Sequence, residues 1–171
     1  MRFVLAALMI FLTLTGCTSV NIIDANPDNP ADILKSEMSG LSPSQTNTNG
    51  DWQKTLEYIN KKLIYGEKIF YSTTFKKFVH ARFSNEYKLF ELSMLDMESA
   101  SIQRLGSGNK KGKNNSRINI QAKSASGEFE HIFASGKQST SSYLLLKIDL
   151  ASDSIKVKRA LELMANPENS T

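Results

Sequence analysis

Cysteine is all but missing from this chain: there is one among 171 residues, at position 17. A single cysteine excludes a disulfide framework and any metal site built on paired thiolates. Histidine is almost as scarce. His80 and His131 are the only two, they lie far apart, and no cysteine falls between them. Zinc sites draw three or four Cys, His or carboxylate ligands at short spacings, so no metal or other cofactor is expected. Four prolines and nine non-periodic glycines remove a collagen-like class. Long apolar runs are absent too. The longest, residues 3–14, is broken only by Thr13, and about a dozen residues fall short of the roughly 20 that span a bilayer as a helix.

The signatures of catalysis are equally thin. A nucleophile needs a Ser, Cys or Thr beside a positioned base. No G-x-S-x-G elbow occurs, and Gly106-Ser107-Gly108 has the wrong length. His80 alternates with Phe78 and Arg82, which reads as a surface or edge position on a strand. Asp96 with Glu98, and Glu128 with Glu130, are i, i+2 acids of the kind that general acid–base work requires, but on an amphipathic strand this spacing marks the wet face. The expectation is that there are no catalytic residues and that the protein is not an enzyme.

Charge is present and unevenly placed. The chain carries 21 basic and 17 acidic residues, net +4. From Trp52 onward there are 19 basic and 12 acidic residues. Between Cys17 and Asp51, Lys35 stands alone against Asp24, Asp28, Asp32, Glu37 and Asp51. A basic domain therefore follows an acidic segment.

The N-terminus explains the lone cysteine. Arg2 precedes the short apolar run, as in the charged and hydrophobic regions of a secretory signal, and Leu14-Thr15-Gly16-Cys17 follows it. This segment resembles the lipobox of bacterial lipoproteins, with Leu at −3, small residues at −2 and −1, and cysteine at +1. The resemblance covers residues 1–17 only. It implies removal of 1–16 as a signal peptide, a diacylglycerol thioether on Cys17, and an acyl group such as palmitate on the new N-terminus. Thr18 is not the Asp that retains such proteins at the inner membrane. In a Gram-negative host this implies the periplasmic leaflet of the outer membrane, and in a Gram-positive host the plasma membrane. Two or three chains make such an anchor stable where one is marginal.

Residues 18–50 are rich in Asn, Asp, Pro, Ser and Thr and show no sustained apolar period, beyond a turn or two of helix near 32–38. The segment 17–50 reads as a lipidated N-terminus and flexible acidic tether, about 30 Å in r.m.s. span. Residues 51–166 have the length of one domain, and 167–171 read as a disordered tail.

Within the domain, Asp51 suits an N-cap, and Trp52, Leu56, Ile59 and Leu63 recur at helical spacing, so a helix is expected over 52–64. The period then shortens. Strand-like runs fall at 77–83, 87–94, 100–105, 117–123, 128–134 and 143–150. Two hairpins are expected, one at Ser84-Asn85-Glu86 and one at 124–127, and the strongly apolar 143–150 is expected at a sheet centre. Ser152 or Asp153 caps a last helix carrying Ile155, Val157, Ala160, Leu161 and Met164. The predicted class is α+β: an N-terminal helix, about six mainly antiparallel strands and a C-terminal helix. The element order, though no motif, resembles that of pleckstrin-homology-like curled barrels.

One further feature points at a partner. Residues 104–117 hold Arg104, Lys110, Lys111, Lys113 and Arg117 without a single acid. The phosphate-loop patterns fail, since position 107 is Ser, 111 is Lys and 114 is Asn where Gly, Gly and Ser or Thr would be needed. What remains is a basic loop that either attracts an anionic envelope component or simply keeps the domain soluble. Nucleic acid is excluded as a partner by the export signal and by the lack of an aromatic residue in the loop. The sequence thus predicts a lipid-anchored, non-catalytic binding domain for a protein or an anionic envelope component. The alternative is a small hydrolase of a cell-wall polymer.

Overall fold

Alternating apolar residues between positions 67 and 148 form eight strands in the computed structural model, which describes residues 29–41, 51–105, 115–124 and 127–166. Cys17, Lys110, Lys111 and Lys113 lie outside the described residues, as do the signal segment and 167–171. The strands are β1 (Glu67–Ser72), β2 (Lys77–Arg82), β3 (Glu86–Phe90), β4 (Leu95–Arg104), β5 (Ser116–Ala122), β6 (Phe129–Phe133), β7 (Gln138–Ser141) and β8 (Tyr143–Ile148). All pairings are antiparallel, and they make two sheets, β1-β2-β3-β6-β7 and β4-β5-β8. The class is α+β, as the patterning predicts. The strand count is higher than six, because β1 and β7 were not expected, and the described strands form two sheets and no closed barrel.

Two connections differ from expectation. The β2–β3 hairpin turns at Phe83-Ser84, where both residues have positive φ (52° and 55°) and Asn85 N–H donates to Arg82 C=O. The link at 124–127 is not a hairpin: β5 and β6 belong to different sheets. β8 also lies at an edge and not at a centre. Its apolarity is explained by the segment after the second helix, where Leu63 bridges Ile148, Ile64 N–H donates to Lys147 C=O and Asp149 N–H donates to Lys62 C=O.

Three helices cover the sheets among the described residues. α1 (Pro30–Ser39) falls where a turn or two of helix was expected near 32–38, but it is longer and docks on the domain, so residues 30–39 are not part of a flexible tether. Proline opens it, and Asn29 caps it by accepting from Ala31 N–H at 3.0 Å. Its buried Ala31 and Leu34, with Met38 half-buried, pack on the outer face of the five-stranded sheet against Phe70, Val79, Ala81, Tyr87, Leu89 and Ile132. Glu37 fastens the same helix to the β1–β2 turn, accepting from Thr73 Oγ1, Thr74 N–H and Thr74 Oγ1. The turn after β6 fits beneath it: Gly136 has φ +80°, and a Cβ there would stand 2.8 Å from Asn29 Oδ1.

α2 (Asp51–Asn60) and α3 (Ser154–Ala165) share the main core. Leu56 and Ile59 from α2, Leu63 after it, and Val157, Leu161 and Met164 from α3 enclose Ile118, Ile120, Leu144, Leu146 and Ile148. The predicted α3 stripe needs one correction. Ile155 is 72% exposed, and Ser154 takes its place inward by bonding buried Ser116. Asp153 precedes α3 without a side-chain cap and instead pairs with Lys62 at 3.1 Å.

Candidate functional site

Residues directly opposite on antiparallel strands share a face, so the registers of the five-stranded sheet sort its inner face into rows. The first row is aromatic: Tyr71, Phe78 and Phe90 face one another across β1, β2 and β3, and Phe129 continues the line at 6.2 Å from Phe90. The next row is Ile69, His80, Lys88, His131 and Ser139. The third is Glu67, Arg82, Glu86 and Phe133. One end of the face is therefore core, and the other gathers seven polar or charged side chains that are scattered in sequence.

Each buried charge in these rows has a backbone task. Glu67 is 6% exposed; its Oε2 accepts from Lys147 N–H at 3.0 Å and lies 3.3 Å from His80 Nε2. Lys88 is 9% exposed; its Nζ donates to Tyr143 C=O at 2.7 Å and to Ser141 Oγ at 2.8 Å, and sits 4.1 Å from the Tyr143 ring centroid. This edge of β8 has no full strand partner: residues 62–64 cover its end, and these two ions satisfy part of the rest, much as edge strands are usually covered. His80 is thus buried and partnered, contrary to the surface or edge position its pattern suggested.

A pocket of about 220 Å³ opens between this row and β8, lined by His80, Arg82, Glu86, Lys88, His131, Tyr143 and Leu145. Burial pushes the Lys88 amine below its ordinary range; Glu86 opposes this and Arg82 adds to it. Burial also lowers His131, helped by the positive Lys88 and opposed by Glu86. A serine–lysine nucleophile needs a neutral amine to take the hydroxyl proton. Here Lys88 donates to Ser141, Ser141 Oγ donates to Tyr143 C=O at 2.9 Å, and the aromatic ring favours a cation. The geometry is that of an ammonium clamp. Among the described residues, no group of three or more His, Cys, Asp or Glu is placed to hold a metal ion.

A second, larger cleft of about 710 Å³ lies on the other side of Glu67. Leu41 and Met38 of the α1 end, Leu63 and Ile64 after α2, and Phe83 on the strained turn line it. Tyr65 at its rim is 98% exposed and Phe83 is 47% exposed. Gly66 makes the geometry attainable: it has φ +90°, its C=O accepts from Phe83 N–H, and a Cβ there would stand 2.4 Å from the Phe83 ring. Two consecutive non-glycine residues in the left-handed region cost energy, and such strain concentrates where chains do work.

The two described members of the basic cluster do not converge. Gln103 pairs with Arg117 and Arg104 with Ser116, so the two arginines project from opposite faces of the β4–β5 ladder. Arg104 is exposed, whereas Arg117 Nε donates to Gln103 Oε1 at 2.7 Å. Sequence reasoning weighed His80 and His131 singly and overlooked Lys88, Arg82 and Glu67; only strand register brings them together. Tyr65 and Phe83 carried no signal, since an isolated aromatic residue beside a turn is commonplace. No family model, curated protein or solved structure matches the chain.

Proposed function

We propose that this protein is an envelope lipoprotein, anchored through Cys17, whose α+β domain is a non-catalytic module that binds an apolar segment of a protein partner. The observation that carries the binding role is the cleft flanked by Tyr65 and Phe83. A tyrosine 98% exposed beside a phenylalanine held outward by a strained turn contributes nothing to the core, whereas aromatic anchors around a concave apolar surface are what peptide-binding clefts use. The cleft's size suits one or two apolar side chains of an extended or helical segment. This reading ranks a protein partner above an anionic polymer, because Arg104 and Arg117 face opposite ways.

The test is selection of a displayed random-peptide library on the full chain in nonionic detergent. Enriched peptides should share an apolar anchor and bind Tyr65→Ser and Phe83→Asn variants at least tenfold more weakly, a difference of about 1.4 kcal/mol. Asparagine is used at 83 because it tolerates the left-handed backbone. Peptides that bind both variants as well as the wild type would overturn the assignment. So would exclusive binding to anionic vesicles that is lost at high salt, which would move the function to the basic loop.

A further inference from the structure

The pocket between β8 and the His80–Lys88–His131 row is polar, partly open to solvent and incompletely satisfied. His131 Nε2 and Arg82 Nε are buried and have no hydrogen-bond partner, and Arg82 Nε stands 3.7 Å from Glu67 Oε1, an ion-pair distance too long for a hydrogen bond. Lys88 uses two of its three ammonium protons, on Ser141 Oγ and Tyr143 C=O. Three nitrogen donors on three different strands therefore border one small space. Buried polar atoms without partners are rare in native proteins and call for an occupant.

The edge of β8 adds to this. Lys147 turns its N–H and C=O outward, to Glu67 and Ile64, and Tyr143 turns its C=O outward to Lys88. Alternation along an antiparallel strand sends the backbone groups of Leu145, midway between them, to the same edge. Leu145 lines the pocket. The space thus offers cationic donors on one wall and strand backbone on the other.

The charge balance narrows the ligand. Among the lining residues, Lys88 and Arg82 supply two positive charges and Glu86 one negative, with His80 and His131 as the remaining titratable groups beside Tyr143, and Glu67 behind them pairs with His80 and Arg82. A monoanion balances the lining charge, whereas a dianion leaves one negative charge over. We propose that this pocket is a binding site for a small monocarboxylate, or for the carboxylate end of a larger molecule, with Lys88, Arg82 and His131 as the donors. A volume of about 220 Å³ corresponds to several waters at about 30 Å³ each, enough for a carboxylate group and a short stem. The site is separate from the Tyr65–Phe83 cleft, and the proposal does not depend on the role assigned to that cleft.

The probe is sodium acetate, titrated into the full chain in nonionic detergent while the two histidine ring signals are followed by NMR. Acetamide serves as the neutral isostere and inorganic phosphate as the dianion arm. The His131 signal should shift saturably, with half-saturation at about 1–50 mM, the range open to a ligand of four heavy atoms. Acetate should also move the His131 titration upward in pH, because a bound anion favours the imidazolium. Acetamide should leave the signal unchanged, and phosphate should bind at least tenfold more weakly than acetate. Lys88→Met should abolish the shift. Because Lys88 also secures β8, His131→Phe provides a second variant, in which acetate should no longer protect Tyr143 and Leu145 amides from hydrogen exchange. An unsaturable drift, an equal response to acetamide, tighter binding of phosphate, or undiminished amide protection in His131→Phe would each overturn the assignment.

Discussion

Leu34→Ala tests whether the segment ahead of the domain is truly part of it. Leu34 is fully buried in the cluster where α1 covers the outer face of the five-stranded sheet. Truncation removes three carbons, about 2.4 kcal/mol at ~0.8 kcal/mol per buried CH2, and any residual cavity adds to that within the ~2–5 kcal/mol seen for Leu→Ala changes. The loss has a ceiling, because α1 can detach while the main core around α2, α3, β5 and β8 survives. A local effect of about 2–3 kcal/mol is expected. Native-state hydrogen exchange reads it directly: protection of the amides around 34–38 should fall by roughly 30- to 150-fold, since about 1.4 kcal/mol is tenfold. The amides of Ile118 and Ile120 should change little. If the substitution lowers protection in α1 by less than about twofold, equivalent to ~0.4 kcal/mol, the helix is not docked and the reasoning fails.

Other perturbations separate the remaining elements. Glu37 is half-buried; burial acts to raise its pKa, but the hydrogen bonds from Ser72, Thr74 and Thr73 prevail and hold it below its ordinary 4.5. Its contribution is therefore complete above pH about 4.5 and is lost as the pH falls through the lower folded value. Protection of the α1 amides, taken relative to the intrinsic exchange rate at each pH, should fall in that acid window, and Glu37→Gln should flatten the response. Ser84→Gly relieves a left-handed residue in the β2–β3 turn and should raise stability by about 0.5–1 kcal/mol in urea unfolding, whereas a loss would show that the turn is unstrained. Leu161→Ala should cost about 2–5 kcal/mol and Ile155→Ala less than about 0.5 kcal/mol, because one is sealed in the core and the other faces solvent on the same helix.

What could be read from the sequence follows from the range of the physics involved. Helix α3 and strands β2, β5 and β8 show in the periodicity because one face of each is apolar. Strand β1 was missed because Glu67 and Ser72 are buried polar residues that break its alternation: Glu67 accepts from Lys147 N–H far along the chain, and Ser72 Oγ accepts from Phe75 N–H in the turn that follows. β7 is short, polar and largely exposed, so only its pairing with β6 defines it. The full length and docking of α1 were obscured by the Asn- and Pro-rich composition around it, which left only a turn or two legible near 32–38, although Asn29 and Pro30 are a cap and a first helical residue. Ile155 was assigned inward because a five-residue apolar set looked like one stripe, and Ser154, bonded to Ser116, occupies the inward position instead. The polar pocket was beyond the sequence for a different reason. Its members come from β2, β3, β6 and β8, and register is a property of the folded sheet. The individual residues gave no sign of convergence, since a histidine or lysine on an alternating strand reads as solvated.

The most direct test of an envelope lipoprotein lies at Cys17. Cells expressing the wild-type chain or Cys17→Ser are grown with an alkyne fatty acid, and the protein is recovered, coupled to a fluorophore and weighed by mass spectrometry. The wild type should carry the label, begin at Cys17 with the mass of its acyl chains, and partition into membranes. Cys17→Ser should be unlabelled and retain residues 1–16. Equal labelling, equal N-termini and equal membrane retention for the two chains would contradict the anchor, and with it the envelope location on which the proposed role depends.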